Sequence, residues 1–173
     1  MLIPGSPELI LPDSSVLPSM RNCASPRLLA DCMLGRLAKW LRLLGYDTAY
    51  ENEATDHELA RRARAEGRVL LTRDRDLAAR RGLESLLIQS EHLEQQIEEV
   101  REALGLPSAP SLSRCPVCNV VLERSSPNEV ADRVPPYVLE THTEFRRCPE
   151  CGRIYWSGSH VDAMNEQLKD FSP

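Results

Sequence analysis

Two pairs of cysteines, each spaced as Cys-x-x-Cys, constrain the C-terminal part of this sequence more than any other feature. Cys115 and Cys118 form the first pair, Cys148 and Cys151 form the second, and 29 residues separate the pairs. Each pair fits a tight turn, and two such turns can place four sulfurs about 2.3 Å from one zinc ion. Because four thiolates leave zinc no open position, we expect a structural zinc site that folds a small ribbon.

The surroundings of these cysteines favour metal over disulfides. The sequence does not begin with a basic region followed by an apolar core, so we expect a cytoplasmic protein. Paired cysteines in such a protein usually bind metal. The separation of the pairs exceeds the usual spacing of roughly 15 to 20 residues, which predicts an inserted hairpin or loop. No apolar run approaches the about 20 residues of a membrane span, so no membrane partner is expected.

A second strong pattern lies in residues 68–76, which read RVLLTRDRD. The apolar run has the length and branching of a buried parallel strand, and it ends in two carboxylates, Asp74 and Asp76. Ligand sites in open α/β sheets form at the carboxyl ends of strands. The alternative is a helix N-terminus, where Asp is favoured for capping and for the helix dipole.

The rest of the N-terminal part alternates strands and helices. We predict strands at 27–31, 46–50 and 86–88 besides the one above, and helices at 32–44, 55–66, 77–81 and 91–104. This order implies an α/β fold with a mostly parallel sheet flanked by helices. The polar side of the first helix carries Arg36, Lys39 and Arg42, a solvated face or a phosphate-binding one.

Two further aspartates fall at element ends. Asp31 closes the first predicted strand, and Asp56 stands where a helix N-cap would. With Asp74 and Asp76 they offer hard oxygen ligands that suit Mg²⁺ or Mn²⁺, and such ions can activate water toward a phosphodiester. The Asp-x-Asp unit also occurs in phosphatases with an aspartyl nucleophile, but Ala78 stands where those have Thr or Val.

Four stretches together resemble the mut-seven C-terminal RNase family. They are DCMLGRLAKWLRLLGYDT at 31–48, LLTRDRDL at 70–77, RCPVCN at 114–119 and CPECGRIYWSGSH at 148–160. The resemblance implies a PIN-like nuclease domain at 27–107 and a zinc ribbon at 112–162. A flexible leader at 1–26 and a tail at 163–173 are expected to flank them.

The resemblance further implies a ribonuclease dependent on Mg²⁺ or Mn²⁺. Asp31, Asp56 and Asp74 would be its metal-binding carboxylates, with Asp76 as an additional ligand or a group that orients water. Glu53 or Glu58 could replace Asp56 in this set.

Candidate RNA contacts complete the hypothesis. The net charge is −5, yet residues 27–81 hold 12 Lys or Arg against 9 Asp or Glu, which is compatible with a polyanionic substrate. The candidates are Arg36, Lys39, Arg73, Arg75, Trp156 and His160. Trp156 is alternatively a core residue of the ribbon. The main alternative function is a non-catalytic adaptor that binds RNA or the ribosome, and a third is a protein-docking module that uses the ribbon.

Overall fold

The computed structural model describes residues 9–10, 25–106 and 112–156. A five-stranded sheet, in the order β1-β5-β4-β2-β3, forms the first unit, and a three-stranded sheet in the order β6-β7-β8 forms the second. The strands are β1 (Leu9–Ile10), β2 (Leu28–Ala30), β3 (Thr48–Tyr50), β4 (Val69–Thr72), β5 (Ser85–Leu87), β6 (Glu123–Ser125), β7 (Phe145–Arg147) and β8 (Ile154–Trp156).

Helices follow the strands of the first sheet in regular alternation. A 3₁₀ turn leads directly into α1, and two short helices lie within the ribbon. The bounds are Cys32–Leu34 for the 3₁₀ turn, and then α1 (Gly35–Leu43), α2 (Asp56–Glu66), α3 (Arg75–Ala78), α4 (Leu93–Leu104), α5 (Pro127–Val130) and α6 (Pro136–Thr141). None of the helices in the described part of the chain has the length and apolarity needed to cross a bilayer.

Strands β2 to β5 are parallel, and helices cover both faces of their sheet. Leu28 and Leu71 face the side covered by α1 and α4, whereas Leu29 and Leu70 face the side covered by α2 and α3. Alternate residues of one strand therefore enter different cores, which explains why these strands read as continuous apolar runs. The predicted α/β fold with a mostly parallel sheet and a C-terminal ribbon is confirmed.

The sheet differs from the prediction at one edge. No strand was predicted within residues 1–26, but Leu9–Ile10 pairs antiparallel with β5. Two residues are too few to show an alternating pattern, so this strand could not be predicted from the sequence.

The first helix also differs from its predicted pattern. It begins with the 3₁₀ turn rather than as one continuous α-helix, and the predicted solvent position of Arg42 is wrong. Only 7% of Arg42 is exposed, because its guanidinium contacts the first cysteine turn of the ribbon.

The ribbon contains more structure than the predicted insertion of a hairpin or loop. Between the cysteine pairs lie β6, the two short helices and β7, and apolar residues of the helices enclose a small core around Phe145 of β7. Trp156 packs on that ring with centroids 6.5 Å apart and planes tilted by 56°. The inserted segment therefore supplies apolar burial that two cysteine turns alone cannot provide.

Candidate active site and metal centre

Asp31 and Asp74 follow neighbouring parallel strands, and the hydroxyl of Thr72 joins them. Thr72 Oγ1 donates to Asp31 Oδ2 at 2.7 Å and accepts the Asp74 backbone N–H at 3.0 Å. Thr72 is fully buried, and Asp31 is 5% exposed. The strand ends therefore hold one buried carboxylate and one exposed carboxylate in a fixed relation. Thr72 was not among the predicted site residues, although a Thr at the end of a buried strand and just before Asp-x-Asp is a visible signal.

Asp74 is also the N-cap of α3. Its Oδ1 accepts the backbone N–H of Asp76 at 2.7 Å and of Leu77 at 3.1 Å. The alternative interpretation of this stretch, a helix N-terminus, is therefore also correct. Both bonds use Oδ1, so the cap orients the carboxylate while Oδ2 has no hydrogen-bond partner among the described residues. Asp76 is the second residue of α3, and its side chain is exposed.

The sequence suggested Asp56 as the N-cap of α2, but the structure places a different residue there. The cap is Thr55, which forms a capping box with Glu58, and Glu58 Oε2 accepts the Thr55 backbone N–H at 2.8 Å. Asp56 is instead the first helical residue, exposed and paired with Arg80 at 3.3 Å. Because Glu58 is engaged in the box, it is a weaker replacement for Asp56 than the sequence implied.

Cys32 lies beside Asp31 in the 3₁₀ turn. The hydrogen bond from its thiol to the Asp31 carboxylate is the main cause that raises the Cys32 pKa, and burial and the charge of Asp31 add to it. The charge of Asp56 raises it slightly more. This thiol therefore stays protonated at neutral pH.

The four aspartates lie at the carboxyl edge of the sheet without forming a tight cluster. Within the residues that the structure describes, the only group of three or more His, Cys, Asp or Glu ligand atoms within 4.8 Å of one another is the four-cysteine set. The hydrogen bonds link Asp31, Asp74 and Asp76, and Asp56 stands apart with Arg80.

The proposed RNA-contact residues occupy different settings. Arg36 and Lys39 are exposed on α1, and Arg75 is exposed at the start of α3. Arg73 pairs with Glu91 at 3.0 Å. Trp156 is half-buried against Phe145, as its interpretation as a core residue required, and His160 lies outside the described residues.

The two cysteine turns of the ribbon have the same local geometry. The N–H of Cys118 points to Cys115 Sγ at 3.4 Å, and the N–H of Cys151 points to Cys148 Sγ at 3.4 Å. The residue after each pair, Asn119 or Gly152, has a positive φ of 65° or 69°. All four thiols are free of disulfides, and their convergence fits the tetrahedral thiolate site that zinc prefers.

Crowding and backbone contacts set the ionisation of these thiols. Burial and hydrogen bonds among the cysteines raise the pKa of Cys118 to about 12, and burial also raises the pKa of Cys148. The backbone N–H of Arg153 is the main cause that lowers the pKa of Cys151 to about 6. The thiols therefore cannot all ionise at neutral pH without a cation to compensate them.

Fold and site define a parallel α/β domain with carboxylates at its strand ends, joined to a four-cysteine ribbon. The chain belongs to the family described as Mut7-C RNAse domain, which matches residues 26–168. This match confirms the family resemblance and supports a ribonuclease-related role with RNA as the substrate class. No curated protein and no solved structure matches the chain.

Proposed function

We propose that the protein is a divalent-metal-dependent ribonuclease that hydrolyses RNA phosphodiester bonds at the edge formed by β2 and β4. The observation that carries the proposal is the Asp31–Thr72–Asp74 arrangement, in a chain whose family is an RNase domain. The Thr72 hydroxyl joins the Asp31 carboxylate to the Asp74 backbone N–H, so the two strand ends are held together before substrate arrives, as positioning of reactants requires.

The donor set fits Mg²⁺ or Mn²⁺. These ions prefer carboxylate oxygens, and Mg²⁺ is usually held by only one or two carboxylates together with waters and substrate phosphates. Asp31 and Asp74 would be the main protein ligands, with Asp76 beside them. Waters and substrate phosphates would complete the coordination, so a closely packed group of carboxylates is not required. When bound, such an ion supplies activation of water and stabilisation of the leaving oxygen.

The protein groups have separable roles in this proposal. Asp31 is the fixed carboxylate, because Thr72 holds it inside the sheet edge. Asp74 is exposed and its cap bonds engage only Oδ1, which leaves Oδ2 available to bind an ion. Asp76 and Asp56 would act as outer ligands or orient water, and release of Arg80 from Asp56 would accompany that role.

Exposed basic residues would guide the RNA backbone toward these carboxylates. Arg36, Lys39 and Arg75 belong to elements that begin at the same sheet edge or just beyond it. On the ribbon, Arg124 and Arg146 stand directly opposite each other on β6 and β7 and line a concavity of about 180 Å³ together with Thr143 and the carboxylate of Glu144. A bound phosphate would pair with the two guanidinium groups there.

The test is cleavage of single-stranded and structured RNA by the purified chain. The reaction is run with no added divalent ion, with Mg²⁺ and with Mn²⁺, while RNA binding is followed in parallel by fluorescence anisotropy. Products that require the added ion support the proposal. RNA binding without products under any metal condition would contradict it and favour the non-catalytic adaptor.

A further inference from the structure

The first cysteine turn of the ribbon rests on the nuclease domain through a buried arginine. Arg42 Nη1 donates to the backbone carbonyls of Pro116 at 3.0 Å and Val117 at 2.9 Å. These are the two residues between Cys115 and Cys118. Arg42 Nε donates to the carbonyl of Thr48 at 2.8 Å. One guanidinium therefore holds the cysteine turn and strand β3 together.

Asn119 makes the reciprocal contact from the ribbon. Its Oδ1 accepts the Thr48 backbone N–H at 3.1 Å, and its Nδ2 donates to Asp47 Oδ1 at 2.7 Å. Among the strands that the structure describes, β3 is the outermost of its sheet on that side. Unpaired edge groups are a liability that proteins usually cover. Here both backbone groups of Thr48 on the open edge are bonded by Arg42 and Asn119.

The contact continues into the centre of the sheet. Asp47 Oδ1 also accepts from Arg68 Nη1 at 2.8 Å, and Arg68 Nη1 donates to the Leu28 carbonyl at 3.1 Å. Leu28 begins β2, the strand that Asp31 directly follows. The ribbon is thereby linked by hydrogen bonds to the strand that carries the buried carboxylate.

Electrostatic interactions also favour the contact between Arg42 and the cysteine turn. Burial lowers the pKa of Arg42, and the sulfurs of Cys115 and Cys118, together with Asp47, oppose that shift. A zinc ion with four thiolates carries a net charge of −2, so a buried guanidinium next to it compensates charge as well as donating hydrogen bonds.

We propose that Arg42 is a positioning residue of the ribbon's metal site and that zinc loading and closure of the β3 edge are thermodynamically linked. Zinc fixes the turn 115–119 in the shape that presents its carbonyls to Arg42 and its Asn119 side chain to Thr48. By linkage, the same contacts raise zinc affinity, because the nuclease domain holds the turn in its ligating shape. The inference rests on zinc occupying the four-cysteine site and is independent of whether the domain cleaves RNA.

The first experiment measures zinc affinity of the full chain by competition with a chromophoric chelator. Arg42→Lys keeps a positive charge but loses the planar fork that reaches three carbonyls. We expect it to weaken zinc binding by about 10-fold, as is typical when groups that support metal ligands are changed. Arg61→Lys, at an exposed position on α2, is the matched control and should bind zinc as the wild type does. Equal affinities for all three proteins would overturn the proposal.

The second experiment uses the wild type alone, so it does not depend on a variant folding. Amide hydrogen exchange is compared before and after zinc removal by a chelator. The Thr48 amide should exchange at least about 10-fold faster in the zinc-free protein, a change as large as the one expected for zinc affinity. The Leu70 amide, bonded to Glu84 inside the sheet at 2.9 Å, should keep its protection. Unchanged protection of Thr48 in the zinc-free protein would contradict the linkage.

Discussion

Thr72 donates its hydroxyl hydrogen to Asp31 Oδ2 at 2.7 Å, although the two residues stand 41 positions apart in the chain. The bond ties the ends of β2 and β4, which are neighbours in the sheet. Because the same hydroxyl oxygen accepts the Asp74 N–H, one side chain sets the geometry of both carboxylates. Thr72 should therefore matter for the arrangement of the site as well as for stability.

Thr72→Val tests that role, since valine keeps the shape and removes only the hydroxyl. The buried Asp31 carboxylate then loses a donor, and we expect the free energy of unfolding to fall by about 1–3 kcal/mol. RNA cleavage should fall as well. Thr72→Ser keeps the hydroxyl and is the matched control in urea unfolding and cleavage assays. Equal stability and activity of the Val and Ser variants would show that the hydroxyl bridge has no such role.

Gly35→Ala probes the packing that supports the site from α1. A Cβ at position 35 would lie 2.7 Å from the Tyr50 hydroxyl oxygen, which donates to the Cys32 carbonyl at 3.1 Å. Alanine normally stabilises a helix relative to glycine. Here we expect a net loss of about 1 kcal/mol from overpacking, measured by chemical unfolding. Tyr50→Phe/Gly35→Ala should recover part of the loss, and a stabilised single variant would contradict the packing argument.

Zinc binding should release fewer protons at pH 7 than one per cysteine. The pKa of Cys151 is lowered to about 6, so its thiol is already mostly ionised, whereas Cys118 must give up a proton because its pKa is raised to about 12. At pH 5 Cys151 is protonated too, so proton release should rise and zinc affinity should fall. Calorimetry in buffers of different ionisation enthalpy counts these protons. An identical count at both pH values would contradict the expectation.

The opposed arginines of the ribbon should contribute to RNA binding. In the Asp74→Asn background, where we expect the RNA to stay intact, Arg124→Gln/Arg146→Gln should weaken binding and lower the salt slope by about one per lost phosphate contact. Arg147→Gln is the control, because Arg147 points to the opposite sheet face and lies 3.6 Å from Glu123. Equal losses from both variants would mean a general charge effect and no ribbon site.

The fold was predictable because its signals are local. The apolar run at Val69–Thr72, the glycine that ends α2 and the two cysteine turns each fix an element within a few residues. Parallel strands then bring Asp31 and Asp74 to one edge of the sheet. Their closeness also requires β2 to lie next to β4, an order that was not predicted.

Some features could not be predicted because they depend on contacts between residues that are far apart in the chain. The burial of Arg42 depends on a ribbon more than 70 positions away, and helical periodicity alone placed that side chain in solvent. The capping role of Thr55 was missed because Asp56 is an equally good capping type, and only backbone geometry separates the two positions.

The proposed ribonuclease activity is tested most directly by comparing Asp74→Asn with the wild type. Asparagine caps a helix as well as aspartate does, so α3 should remain folded while the charge that would hold the metal is lost. We predict that the variant keeps its fold, its zinc and its RNA affinity. Its metal-dependent cleavage should fall by at least about 100-fold, or about 2.7 kcal/mol of transition-state stabilisation. Cleavage by the variant at the wild-type rate, with the same metal requirement, would contradict the placement of the active site.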